Sequence, residues 1–318
     1  MSQAPAAPAP GASRILVVKL GALGDFVQAL GPFAAIRQHH RDAQVTLLTG
    51  PAFADFAAAS PYFDAVWVDD RPRFWDVGGW LRLRRRLIDG AFDRVYDLQT
   101  SDRSGAYFRL LGPGRRPEWS GIASGCSHPH ANPRRDLMHT VERQAEQLRM
   151  AGIAAVSAPD LSWARADVSR FRLRPPYVLL VPGGSLHRPE KRWPATHYAG
   201  LCATLAASGQ QPVLLGTEAE KPMIQAILRD CPPGLDLAGE TSLADIAILA
   251  RGAKAAIGND TGPMHLIAAA GCRALVLFSS ASDPALCAPR GADVTVLRGE
   301  SLGELPPAEV WEWLTPRA

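Results

Sequence analysis

The chain has no apolar run approaching the roughly 18 residues needed to cross a bilayer, which excludes a helical membrane span. It opens on MSQAPAAPAPGA, without the basic start and leucine-rich core of a secretory signal. Residues 1–12 therefore read as a disordered tail, and the protein is expected to be cytoplasmic. Its 5 cysteines are odd in number, far apart and never in a C-x-x-C pair, which argues against both a disulfide framework and a zinc site. His128 and His130 have no partner ligands at metal spacing. Charge bias is also small. Residues 1–150 carry 19 Lys/Arg against 15 Asp/Glu, and the remainder carry 15 against 16. That hints at an anionic partner for the first half and falls short of a nucleic-acid-binding protein.

What is present is a globular composition, 47% hydrophobic and 20% charged, in a chain of 318 residues. That length suits two domains of ordinary size. Arg14–Lys19 is a continuous apolar strand of the kind buried on both faces in a parallel sheet. Gly21 and Gly24 turn it into a helix expected over Phe26–His39. Strands at Gln44–Leu48, Ala65–Val68 and Arg94–Leu98 alternate with helical stretches such as Trp80–Ile88, so the chain should form βαβ units. A proline- and arginine-rich linker is expected over 159–176. The pattern then restarts: strand Tyr177–Val181, glycine loop Pro182–Ser185, a helix from Pro194, and strand Pro212–Leu215. The predicted class is α/β with two similar Rossmann-like domains, 13–158 and 177–305, and a cleft between them.

The loops after the strands carry the chemistry, because parallel sheets bind ligands at their carboxyl edges. Asp25 stands beside the first glycine loop, either capping its helix or facing a ligand. Gln99 and Arg103 follow the strand at 94–98, and Arg82 and Arg85 lie in the most basic segment; these four are candidate acceptor contacts. An anionic membrane surface is a second candidate partner for the arginines. In the second half Gly183, Gly184 and the basic run His187–Arg192 suit a diphosphate. Glu218 and Glu220 could accept ribose hydroxyls. Gly258–Gly271 reads as strand, capped helix start and left-handed stop, with Asp260 and Thr261 as cap types and Pro263 in the first turn. Its helix N-terminus attracts phosphate. Neither G-x-G-x-x-G nor Asp-x-Asp occurs, which disfavours NAD and leaves any nucleotide diphosphate to be neutralised by protein groups.

Four segments, KLGALGDFVQALG, PGGSLHRPEKRWP, GTEAEK and GNDTGPMHLIAAAG, resemble the family 9 glycosyltransferases over residues 13–315. The resemblance implies a GT-B fold, two facing Rossmann-like domains, and inverting, metal-independent transfer of a heptose from ADP-heptose to a lipopolysaccharide core or similar glycan. ADP-heptose would be a co-substrate, and no cofactor is implied. The partners implied are the nucleotide sugar and an anionic glycolipid, with peripheral contact at the inner membrane. By position Asp25 corresponds to the general base and Lys191 to the group that neutralises the leaving diphosphate. Gly24, Gly184, Ser185, Thr261 and Gly262 correspond to the donor-side loops, Glu218 or Glu220 to the ribose contact, and Asp260 and His265 to the sugar and phosphate surroundings. Segment 306–318 would form a helix crossing back to the first domain. A GT-B transferase using another nucleotide sugar, a GT-B epimerase and a non-catalytic binding protein are the alternatives.

Overall fold

In the computed structural model, the structure describes residues 12–315 except 113, 115, 185, 186 and 230. The expected tail, apart from Ala12, lies outside them. The chain divides into two compact units at Pro159/Asp160.

In the first unit, strands β1 (Arg14–Lys19), β2 (Gln44–Thr49), β3 (Ala65–Val68), β4 (Arg94–Asp97), β5 (Glu118–Gly121) and β6 (His128–Pro129) form one sheet in the order β3-β2-β1-β4-β5-β6. Every pairing is parallel. In the second unit, β7 (Tyr177–Val181), β8 (Gln211–Leu214), β9 (Leu235–Asp236), β10 (Ala255–Asn259), β11 (Ala274–Phe278) and β12 (Val294–Arg298) are ordered β12-β11-β10-β7-β8-β9, again all parallel. Both orders are the doubly wound Rossmann order. Each puts its switch point, where a ligand crevice forms, between the unit's first and fourth strands. Among the described residues these pairs are β1 with β4 and β7 with β10.

The first unit's helices are α1 (Leu23–Gln28), α2 (Leu30–His39), α3 (Ala54–Ala58), α4 (Val77–Asp89), α5 (Asp102–Leu110) and α6 (Thr140–Met150). The single helix expected over 26–39 is thus two. Pro32 has no N–H to give the Gln28 carbonyl, so the helical ladder breaks at Ala29. The loop read after β4 is short, because Ser101 and Ser104 form a capping box that starts α5.

The second unit's helices are α7 (Ala195–Ala207), α8 (Lys221–Leu228), α9 (Leu243–Gly252), α10 (Gly262–Ala269), α11 (Pro284–Cys287) and α12 (Pro307–Leu314). In the segment expected as a linker, Leu161 and Ala164 are buried and Arg251 bonds the carbonyls of both. Helix α12 packs on α7 and buries Val310 and Leu314 in the second unit's core. Its apolar face is satisfied there.

Helix α10 lies close over its own strand. A β-carbon at Gly258 would sit 2.6 Å from Met264 Sδ and 2.7 Å from Val181 Cβ. Gly258→Ala should therefore overpack this core and lower stability by about 1–3 kcal/mol, read as a lower urea midpoint.

Candidate active site

At the second unit's switch point, Asn259 closes β10 and is fully buried. Its Nδ2 donates to the carbonyls of Pro182 (2.8 Å) and Gly183 (3.1 Å), in the loop after β7. Its Oδ1 accepts from the Trp193 N–H at 2.9 Å and the Tyr198 hydroxyl at 3.2 Å. One amide thus fixes both the glycine loop and the end of the basic run, whose Trp193 is anchored in the core with its indole N–H on the Leu305 carbonyl. Sequence reading missed Asn259. The signal was present, as a polar residue ending an otherwise apolar strand.

That anchoring sets Lys191, whose Nζ lies 2.8 Å from Asp260 Oδ2 with both side chains largely buried. Ser282 donates to the same oxygen at 2.8 Å. Asp260 therefore does not cap α10, because Lys191 and Ser282 take its carboxylate. Thr261 occupies the cap position but makes no side-chain cap bond. The first turn of α10, with Gly262 and the buried His265, begins beside this ion pair. At its other end α10 closes as expected: Gly271 is left-handed (φ 88°), its N–H bonds the Ala268 carbonyl, and the Cys272 N–H bonds that of Ile267.

The glycine loop is braced rather than open. Glu220 Oε1 accepts the Gly184 N–H at 3.1 Å, and Oε2 accepts the N–H and hydroxyl of Thr217 at 2.7 and 2.9 Å. A β-carbon at Gly183 would meet Glu220 Oε1 at 1.9 Å, which is why glycine stands there. Glu218, by contrast, is exposed, and among the described residues it pairs with Lys221 Nζ at 3.6 Å. Ser185 lies outside the described residues.

At the first unit's switch point, Gly24 and Asp25 stand in the first turn of α1, where no side chain caps the helix. The Gln99 side chain accepts the Leu20 N–H at 2.8 Å and ties the end of β4 to the glycine loop. Arg103, in the first turn of α5, donates to the Pro72 carbonyl. The structure thus brings Gln99 and Arg103 to the carboxyl edge that carries Asp25. Arg82 and Arg85 do not join them. They lie on the exposed side of α4 and line a cavity of about 350 Å³ with Arg14, at the amino end of β1.

Beneath Asp25 sit two buried charges that sequence reading overlooked, Lys19 and Asp97. Lys19 donates to the Leu98 carbonyl at 3.0 Å. Burial lowers its ammonium to about 8, Asp25 and Asp97 hold it up, and Arg143 lowers it further. Asp97 Oδ1 accepts the N–H groups of Gln99 and Thr100 at 3.1 and 3.0 Å. Its Oδ2 is buried without a hydrogen bond among the described residues, and burial pushes the acid up to about 6.

With this geometry in place, the family model for glycosyltransferase family 9 (heptosyltransferase) matches residues 80–309. The chain belongs to that family. It is 37% identical to lipopolysaccharide heptosyltransferase 2 of Salmonella typhimurium, over 90% of this chain and 88% of that protein. The structure of the E. coli ADP-heptose lps heptosyltransferase II superposes with a TM-score of 0.76 at 22% identity, covering 95% of this chain and 97% of that one. That of E. coli heptosyltransferase WaaC with ADP-2-deoxy-2-fluoro heptose gives 0.75 at 21% identity, covering 96% of this chain and all of the other. The expected GT-B fold and the glycosyltransferase class therefore stand.

Two outcomes follow from the site. Asn259→Asp keeps the acceptor oxygen but turns an oxygen toward the Pro182 and Gly183 carbonyls, so it should lower stability by about 2–4 kcal/mol, read as a lower urea midpoint. For Asp97 the folded value lies above the unfolded one, so its contribution is present below about pH 4 and lost as pH rises through about 6. Asp97→Asn should flatten the fall in unfolding free energy over that window, by on the order of 2 kcal/mol, in denaturation series run from pH 4 to 7.

Proposed function

We propose that this glycosyltransferase moves a heptose from ADP-heptose to a hydroxyl of a lipopolysaccharide-core glycan, by inverting, metal-independent chemistry, at the inner face of the inner membrane. The observation that carries the reading is Lys191 held against Asp260 at the mouth of a helix start, in a loop fixed by Asn259. The arrangement supplies a cation, backbone N–H groups and a helix dipole at one place, which suits a departing diphosphate. Family membership and the heptosyltransferase relatives support heptose as the sugar.

In this reading Asp25 accepts the proton of the acceptor hydroxyl as that oxygen attacks the anomeric carbon. The bond from that carbon to the diphosphate oxygen breaks with its electron pair, and Lys191 stabilises the charge left on ADP. Asp260 aims Lys191. The Thr261 hydroxyl and the Gly262 N–H face the phosphates, with His265 packed behind them. Glu220 braces Gly184, so Glu218 takes the ribose hydroxyls. Gly24 keeps the backbone beside Asp25 bare for the sugar, and Gln99 and Arg103 meet the acceptor.

The reading is tested by one pair of measurements. Asp25→Ala should retain ADP binding, seen as an unchanged ADP-induced rise in melting temperature, while transfer from ADP-heptose falls by at least about 100-fold. Retained turnover would remove Asp25 as the base. A larger melting shift with UDP than with ADP would overturn the donor.

A further inference from the structure

Helix α4 has an apolar face turned to water, which a helix packed on a sheet has no folding reason to carry. Its core side is Gly79, Leu83 and Leu87, all buried. At about 100° per residue, Val77, Leu81 and Ile88 fall within about 40° of one another, centred about 140° round the helix from that core side. Val77 is 67% and Leu81 60% exposed. Ahead of the cap residue Asp76, Phe74 at 84% and Trp75 at 59% exposed add to the apolar surface at this end of the helix. They are held in place: their rings pack edge to face with centroids 4.4 Å apart, and Trp80 Nε1 donates to the Arg73 carbonyl at 3.0 Å, pinning the turn.

Cations surround the stripe. Residues 71–89 contain six arginines and two acids, Asp76 and Asp89. Asp76 is occupied in capping α4 through the Gly79 N–H. Arg73 lies over the Trp75 ring, at 5.3 Å from its centroid. Arg84 and Arg85 flank the apolar line on either side, and Arg85 and Arg82 reach acids only at 3.5 and 3.9 Å. An aromatic wedge followed by an apolar stripe bordered by arginines is the pattern of a helix lying in the interface of an anionic bilayer.

We infer that Phe74, Trp75, Val77, Leu81 and Ile88, with Arg73, Arg82 and Arg85, form a docking face for an anionic lipid membrane. This deepens the reading above, in which the acceptor is lipid-anchored, by assigning the surface that meets the lipid. The same loop explains why docking would serve the reaction. Arg71 donates to the Leu20 carbonyl, in the loop that leads to Asp25, and the Pro72 carbonyl accepts from Arg103. The membrane face is thus tied directly to the residues that meet the acceptor.

The test is co-sedimentation of the full chain with phosphatidylcholine vesicles with and without 30 mol% phosphatidylglycerol, on the order of what polybasic surfaces discriminate, and with no donor or acceptor present. The wild type should partition about 100-fold more onto the anionic vesicles, the weight of three arginines. Arg82→Glu/Arg85→Glu should erase most of that preference. Trp75→Ser/Leu81→Ser should lower binding at least about tenfold while keeping the wild-type ADP-induced melting shift. Trp75→Phe keeps the apolar bulk; it should bind normally and lose part of the fluorescence quenching caused by brominated lipid. Equal binding to both vesicle types, or none, overturns the inference. So does a wild-type dimer in sedimentation velocity that Trp75→Ser/Leu81→Ser makes monomeric, since the face would then join two copies of this chain. Vesicle binding with no activity on ADP-heptose would leave the docking face standing and remove the transferase reading.

Discussion

The geometry of the second unit's switch point depends on one buried amide. Asn259 ends β10 and bonds four groups in three segments: two carbonyls after β7, the Trp193 N–H at the end of the basic run, and the Tyr198 hydroxyl on α7. All four hydrogen-bonding positions of a side-chain amide are used. A fully satisfied polar group in a dry site specifies geometry strongly, because each alternative arrangement leaves a donor or acceptor unpaired at about 1–3 kcal/mol. Lys191 owes its position to this, since Trp193 N–H is two residues away and the indole beyond it is sealed in the core. Glu220 makes a second brace from α8's side of the sheet. Pro182, Gly183 and Gly184 are consequently held before any ligand arrives, and ordering them adds little cost to binding.

The first unit solves a different problem on the same strand order. At its switch point the groups beneath Asp25 are a buried lysine, Lys19, and a buried aspartate, Asp97. Burial lowers the Lys19 ammonium to about 8, so its charge is costly to keep. Asp97 works against that cost and is raised to about 6 for the same reason. The first turn of α1, which carries Asp25, therefore rests on a buried pair in which each charge makes the other tolerable. Gln99, which bonds Leu20 across the switch point, keeps the pair covered.

Much of this was legible in the sequence. Apolar runs such as Tyr177–Val181 are strands because both faces of a parallel sheet are covered, and the structure ends them as the sequence does. Gly271 stops α10 for the steric reason that makes glycine legible at such positions. What escaped were features fixed by partners distant in sequence. The strands Glu118–Gly121 and His128–Pro129 are too short to show a period; the first exists because β4 offers an edge, and the second because β5 does. Asp260 has the side chain of a cap, yet Lys191, 69 residues earlier, takes it. Glu218 and Glu220 are indistinguishable by residue type; only the approach of Gly183 and Gly184 shows that Glu220 is the brace. The partner of Lys19 is equally distant, since its ammonium bonds the carbonyl of Leu98, 79 residues later.

The Lys191–Asp260 pair explains how a neutral arrangement can still receive an anion. A lysine alone in a largely buried site would lose hydration without a partner, which costs several kcal/mol. Asp260 offsets that loss and leaves the ammonium two further donors. Ser282, on the same carboxylate oxygen, draws off part of the carboxylate's charge and leaves Lys191 less fully neutralised. A diphosphate placed against Lys191 then meets a cation already stripped of most of its water, beside the first turn of α10, and the interaction grows as negative charge accumulates on the leaving oxygen. Glycosidic bond cleavage produces that charge. In the proposed transfer the pair contributes more to the separating diphosphate than to the intact donor, which is the condition for accelerating transfer rather than only binding the substrate.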